Sequence, residues 1–287
     1  MKIDVVRKGD IFINRAFSGF LKEAGIESHE HFMRLDGKVA KSIVKERTTM
    51  QVTLGERILY IKKHRFPGLK EVLKLLFRLR LPRSALNEWH AILAFHEHGI
   101  PTMVPVASGR KLIFGVIEKE SFLLTDNLAD AGRLDYYLEE KFPGLCRAEE
   151  LARKRGVLWK LADLSRKMHD SGFNHRDFYL CHIFIDAAEN LFVIDLHRVD
   201  IRGRVGRRWI IKDLAALLFS SLDVPVTWGQ RLAFYMRYMS VSRLSPQDKC
   251  FIRAIIAKCS GIARHTRRMC SRAKQNPMKQ GQGVLSD

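Results

Sequence analysis

The spacing of apolar and polar positions changes character near Leu128. Upstream, apolar residues come in short runs or alternate with polar ones. "MQVTLGERILYIKKHR" (50–65) holds two β-prone runs around Gly55 and predicts a hairpin. "TMVPVASG" (102–109) and "SFLLTD" (121–126) predict two more strands. Between them, "PRSALNEWHAILAFHEHGIP" (82–101) predicts a helix with Ser84 as N-cap and Gly99-Ile-Pro as its stop. Strands around one helix make a small α+β lobe.

Downstream, the helical period takes over. "EELARKRGVLWKLADLSRKMHDSG" (149–172) places Leu158, Leu161, Ala162, Ser165 and Met168 near a 3.6 repeat, and Gly172 closes it. "HIFIDAAENLFVID" is two apolar runs around a polar turn, a hairpin signature. Helical patterning returns at "IKDLAALLFSSL" (211–222) and through much of 228–270. The stretch after about Ala273 has no period and reads as a disordered tail. The expected division is a β-rich lobe over 1–127, a larger helical lobe over 128–272 and a tail over 273–287, with the hinge at Thr125–Leu128. No internal repeat is visible.

Composition sharpens this picture in two respects. Of 287 residues, 46% are hydrophobic and 28% charged, which fits a globular chain rather than a disordered one. The 50 Lys and Arg against 31 Asp and Glu give a net charge of +19, which implies a polyanionic partner. Nucleic acid, an anionic membrane face, and a phosphorylated or carboxylated substrate all satisfy that requirement. The five cysteines, Cys146, Cys181, Cys250, Cys259 and Cys270, are odd in number and share no CxxC spacing, which fits a reducing cytoplasm. "MKIDVVRKGDIF" lacks a signal peptide's apolar run, and no stretch of about 18 apolar residues occurs.

Chemistry concentrates in "FNHRDFYLCHIFID" (173–186) and its flanks. Asp177 leaves a helix and precedes the predicted hairpin, and Asp195 stands at that hairpin's exit in "LFVID". Upstream, Lys62 ends the apolar run "RILYIK", and Glu88 lies on the helix that follows. A strand-borne lysine can neutralise phosphate oxygens, an acidic partner can fix it, and a strand-end carboxylate can hold Mg²⁺. Taken singly, each of these is more often a solvated surface residue or a turn-former. Their order along the chain favours phosphoryl transfer. Lys63 would point to the other face of its strand, so only Lys62 serves.

His175-Arg176-Asp177 resembles the H-R-D catalytic loop of protein-kinase-like enzymes. The longer pattern "NHRDFYLCH…VIDLHR…KDLAAL", with "NEWHAIL…HEHGI", is similar to the lipopolysaccharide core heptose kinases, the WaaP (RfaP) family. The resemblance runs from about "YIKKHR" to "LLFSSLD". It implies a bilobal α+β protein-kinase-like fold, with ATP and Mg²⁺ as cofactors. Asp177 would be the catalytic base and Asp195 a metal ligand. Lys62, Glu88, Asp126 and His182 would form the nucleotide-binding set. Asp213 and His175 would be structural, with Asp213 bracing the catalytic loop.

Two positions depart from protein kinases. His182 stands where they carry a metal-binding asparagine, and imidazole nitrogen suits Mg²⁺ poorly, so contact with a phosphate or with Asp195 competes with metal contact. No G-x-G-x-x-G is present. "KSIVKERTTMQ" occupies that place and leaves the grip to backbone N–H groups and Arg47. A zinc site at Cys181, His182 and His197 is disfavoured, because no second cysteine lies at ligand spacing.

Only residues 196–212 separate Asp195 from Asp213, a short segment for holding an extended peptide. It is rich in cations, of which Arg198, Arg204, Arg207 and Arg208 are assigned to the acceptor, because guanidinium forks suit carboxylates and phosphates. The alternative is a solvated basic loop. "GLKEVLKLLFRLRLP" (68–82) patterns as a basic amphipathic helix that would rest on an anionic membrane surface, pack on the small lobe, or dock an acidic protein. The expected activity is ATP-dependent phosphorylation of heptose in the lipopolysaccharide inner core. The expected location is the cytoplasm, at the inner face of the inner membrane, with no nucleic-acid partner. The rival readings are a protein Ser/Thr or Tyr kinase and a pseudokinase binding module.

Overall fold

The computed structural model describes residues 2–44, 47–65, 84–113, 117–144 and 147–275. The predicted amphipathic segment 68–82 and the last residues of the tail lie outside them. The chain divides into two compact units, Met1–Leu128 and Ala129–Asp287.

The first unit is built on one antiparallel sheet. Its strands are β1 (Val5–Lys8), β2 (Ile11–Asn14), β3 (Lys38–Val44), β4 (Arg47–Leu54), β5 (Arg57–Arg65), β6 (Pro105–Ile113) and β7 (Ile117–Asp126). They lie in the order β1-β2-β6-β7-β5-β4-β3. The hairpin predicted around Gly55 is β4–β5, and Gly55 takes the left-handed conformation (φ 57°) that a tight turn demands. The hairpin β1–β2, which the sequence pattern left unassigned, extends the sheet by pairing Ile13 with Ala107 of β6.

Period-two alternation gives the sheet two different faces. Leu59 and Ile61 of β5, with Phe122 and Leu124 of β7, pack into a core with Phe32 of the short helix α2 (His29–Arg34), which follows α1 (Ser18–Glu23). Phe32 and Phe122 stack with ring centres 4.4 Å apart. Lys63 shares this face and donates to the carbonyls of Met33, at 2.8 Å, and Leu35. Lys62 faces the other way, towards α3 (Ala85–Glu97). That helix starts where Ser84 Oγ accepts the N–H of Leu86 at 3.2 Å, and it buries Trp89, Ile92 and Phe95.

In the second unit, α4 (Leu134–Lys141) and the long α5 (Ala148–Asp170) accompany a set of short strands, the first of which precedes α4. These are β8 (Gly132–Arg133), β9 (Phe173–Asn174), β10 (Ile183–Ile185), β11 (Leu191–Val193) and β12 (Asp200–Ile201). β10 and β11 form the predicted hairpin, and β9 pairs with β12. α6 (Arg207–Ser221), α7 (Trp228–Met239) and α8 (Pro246–Gln275) complete the unit. α8 continues two residues past Ala273, where sequence patterning ended. Ala162, Leu214, Ala215, Tyr235, Phe251 and Ile255 form the core. Beside it lies an apolar cavity of about 300 Å³, lined by residues that include Leu138, Leu161, Leu217 and Ile255. Among the described residues, no helix is long and apolar enough to cross a membrane.

Candidate functional site

In the first unit, Lys62 Nζ lies 2.6 Å from Glu88 Oε1. Glu88 is 1% exposed, so it is not the surface glutamate that helix position alone would suggest. The strand register puts Lys62 opposite Thr49 and Leu123, in the middle of the sheet. An amine held by a buried carboxylate has little freedom to move. Asp126 ends β7, where its Oδ1 accepts the Asn127 N–H at 3.0 Å and its Oδ2 stands 3.6 Å from Arg57. Arg47 opens β4, paired with Val44 and His64.

In the second unit, a buried carboxylate organises the His175–Asp177 loop. Asp213, on α6, is fully buried and accepts the backbone N–H groups of His175 at 2.7 Å and Arg176 at 2.8 Å. It also accepts Asn174 Nδ2 at 2.6 Å, and His169 Nε2 stands 3.4 Å away. The loop is thus pinned from beneath, and Arg176 is held in a left-handed conformation (φ 71°) immediately before Asp177. Asp195 has the same unusual backbone (φ 61°). Such conformations cost about 1–3 kcal/mol each and persist where surrounding contacts over-determine them.

His175 and His182 tie the two ends of the hairpin together. His175 is buried, and its Nε2–H donates to the Ile194 carbonyl at 3.0 Å, next to Asp195. Burial pushes its pKa below the ordinary value, so it is neutral. His182 Nδ1 donates to the Asp177 carbonyl at 2.8 Å, while its Nε2 lies 3.6 Å from Asp195 Oδ2. One imidazole therefore spans the backbone of Asp177 and the carboxylate of Asp195. Burial opposes protonation of His182, but hydrogen bonds with Cys181 and the Asp177 carbonyl, with the charge of Asp195, raise its pKa overall.

Sequence reasoning missed three features here. His197 Nδ1 is 2.7 Å from Asp195 Oδ1, so a second imidazole flanks that carboxylate. Arg198, grouped with the acceptor cations, places Nη1 2.8 Å from both oxygens of Asp177. Arg176 forks onto Asp200 at 3.2 and 3.3 Å and lies against Trp209. A tryptophan inside the basic run "RRWIIK" was the available signal for the last of these. Arg204, Arg207 and Arg208 are exposed, Arg207 against Phe251 and Arg208 against Trp209.

Gly172 makes the arrangement possible. Its φ is +85°, and a Cβ there would lie 1.9 Å from the Arg202 carbonyl oxygen. The absent side chain lets the basic segment close on β9, with the Arg202 N–H donating to the Gly172 carbonyl at 2.9 Å.

Residues 30–238 match the family described as the lipopolysaccharide kinase (Kdo/WaaP) family. The chain belongs to that family. It is 30% identical over 254 residues to the lipopolysaccharide core heptose(I) kinase WaaP of Escherichia coli K12, covering 85% of this chain and 94% of that protein. It is 34% identical over 222 residues to the WaaP of Pseudomonas aeruginosa, covering 75% of this chain and 81% of that protein. Among solved structures, WaaP in complex with acyl carrier protein superposes with a TM-score of 0.62 at 29% identity, over 89% of this chain and 96% of that one. The fold is the α+β protein-kinase-like one.

Proposed function

We propose that this chain transfers the γ-phosphate of ATP to a hydroxyl of heptose in the lipopolysaccharide inner core. Family membership supports the reaction class, and the names of its relatives support the acceptor. One observation in the chain itself carries the reading. Asp213 fixes the His175–Arg176 backbone from below and so presents Asp177 beside the hairpin whose other strand leads to Asp195.

Asp177 acts as the base that orients the acceptor hydroxyl and takes its proton as the oxygen attacks phosphorus. Lys62, steadied by Glu88, offsets charge on the donor phosphates. The Asp195 carboxylate is the hard oxygen donor in the loop, which fits Mg²⁺, an ion that takes one or two carboxylates and completes its shell with phosphate and water. Bound there, the metal would supply positive charge to the phosphate oxygens. His182 and His197 orient the Asp195 carboxylate from its two sides. Asp126 belongs to the nucleotide-binding set as the acidic terminus of β7.

The surplus of basic residues supports two further associations, with the anionic inner face of the inner membrane and with an acidic protein. A relative crystallised with acyl carrier protein supports a partner of that acidic class. The site of action is the cytoplasmic side, where ATP is available.

Single-turnover transfer from labelled ATP to purified inner-core lipopolysaccharide tests the reading. Asp177→Ala should lose about 10²-fold or more in rate, the scale of general-base catalysis. Equal labelling by the two proteins would remove Asp177 from its role.

A further inference from the structure

Trp209, in the first turn of α6, gathers cations from three directions. The guanidinium carbons of Arg176 and Arg202 each lie 5.3 Å from the centre of its ring, and that of Arg208 lies 4.6 Å away. The Lys212 ammonium is 5.9 Å from the same ring. Arg176 comes from the catalytic loop and Arg202 from the segment after β12, while Arg208 and Lys212 are one turn apart on α6. Attraction to an indole face holds each cation singly, but it does nothing to relieve repulsion among four of them.

Their counter-ions are too few. Asp200 pairs with Arg176 at 3.2 Å and with Arg202 at 3.1 Å. Among the described residues, no other carboxylate stands within ion-pair distance of the four, and Arg208 and Lys212 have none. The Arg176 Nε–H is buried without an acceptor. Like charges at an i, i+4 spacing, as at Arg208 and Lys212, disfavour a helix rather than support it. The first turn of α6 contains no acidic residue, and its dipole adds to the same positive field. Burial lowers the pKa of Lys212, and repulsion from Arg198 and Arg176 lowers it further, which attraction to Asp177 and Asp213 offsets only in part. That repulsion places the cage within electrostatic reach of Arg198, which itself grips Asp177.

We infer that the indole of Trp209, with Arg176, Arg208 and Lys212, forms a binding site for a carboxylate or phosphate carried by the acceptor sugar. The proposal deepens the proposed function and rests on it. An anion seated there would improve the charge balance and hold the acceptor next to the catalytic loop. Guanidinium forks suit both anions, so the shared chemistry is a compact oxyanion. Arg176, Arg208 and Lys212 belong to the same unit as Asp177, the proposed base, which assigns this cage to the acceptor.

Steady-state kinetics with ATP and inner-core glycolipid on Lys212→Gln, Arg208→Gln and Trp209→Leu test it. Each should raise the acceptor KM about tenfold, the scale of one charge-assisted hydrogen bond, and leave the KM for ATP within about twofold. Lys212→Arg should restore most of the loss. Arg208 is exposed, so its replacement probes the site without disturbing the core. An acceptor KM that stays put in all three variants, or a rise confined to ATP, overturns the proposal.

Two altered acceptors locate the anion, one enzymatically dephosphorylated and one with its carboxylates reduced. The form that binds worse, and no longer responds to Lys212→Gln, has lost the recognised group. If neither treatment raises KM, the cage does not read an acceptor anion. Tryptophan fluorescence titrated with inorganic pyrophosphate requires no turnover. Saturable quenching in the wild type should vanish in Trp209→Phe, and quenching that persists there counts against the site. A wild type that transfers nothing to glycolipid would sink the acceptor assignment itself. Transfer with an indifferent acceptor KM would sink only the cage.

Discussion

Arg198 holds both oxygens of Asp177 through a single guanidinium nitrogen, at 2.8 Å each. In the proposed reaction Asp177 takes a proton from one particular hydroxyl, which requires a defined orientation, and the Arg198 contact would supply it. The residue comes from the short turn after Asp195, so one segment carries both the candidate metal ligand and the residue that steadies the base.

Loss of that hold should slow chemistry more than binding. Arg198→Ala is expected to lower kcat by about tenfold or more with little change in the KM for ATP, because misplacing a catalytic group by about 1 Å can cost 10²-fold. Arg198→Lys, which restores the charge without the planar head, should recover part of the rate. The kcat and KM values of the two variants check this. Equal kcat in Arg198→Ala and wild type would show that Asp177 needs no such support.

The buried end of the Lys62–Glu88 pair makes the two partners unequal. Lys62→Met would strand the Glu88 carboxylate, which is 1% exposed, and stranding a buried charge costs about 3–5 kcal/mol. The double variant Lys62→Met, Glu88→Gln should regain much of that stability without regaining activity. Urea unfolding of the three proteins reads the difference. A double variant no more stable than Lys62→Met would show that the carboxylate is not the source of the loss.

Asp213→Asn replaces an acceptor that serves two backbone N–H groups with an amide that brings its own donors. The amide keeps one oxygen, so either the His175 N–H on Oδ2 or the Arg176 N–H on Oδ1 should lose its partner, at about 1–3 kcal/mol. Hydrogen exchange at one or the other of these amides should accelerate, and kcat should fall although Asp213 is fully buried. Unchanged protection of the two amides would mean that the loop is held by something else.

His175 makes stability depend on pH in a definite direction. Burial depresses its folded pKa below the ordinary 6.5. Below pH 6.5 the unfolded chain therefore takes up a proton that the native state refuses. Stability should fall as pH drops from 6.5 towards the folded value, by at most about 1.4 kcal/mol per pH unit, and this group should contribute no slope above 6.5. His175→Gln should be less stable than the wild type at pH 7.5, with the gap narrowing by pH 5.5. Denaturation curves that stay parallel at the two pH values would exclude His175 as the source.

Local pattern went a long way in this chain. The β4–β5 hairpin followed from two β-prone runs around Gly55, and α3 from Ser84 and its apolar face. The opposite orientations of Lys62 and Lys63 followed from strand alternation alone. The β10–β11 hairpin, with an aspartate at each open end, was likewise legible. What escaped was contact between residues that share no pattern. Nothing in "LHRVD" says that Arg198 turns back onto Asp177 instead of facing an acceptor. Nothing in the basic run says that Trp209 collects Arg176 from across the fold.

The sequence by itself determined which residue types are present, how each element alternates, and which family the chain joins, because those properties are written in nearest-neighbour order. Tertiary structure alone decided that Glu88 is buried, that Asp213 lies beneath the His175–Asp177 loop, and that four cations meet on one indole with, among the described residues, a single carboxylate in ion-pair distance. The physical reason is that burial and pairing are set by distances through space. For the basic segment, that distance depends on a glycine at 172 small enough to let the Arg202 carbonyl close against it.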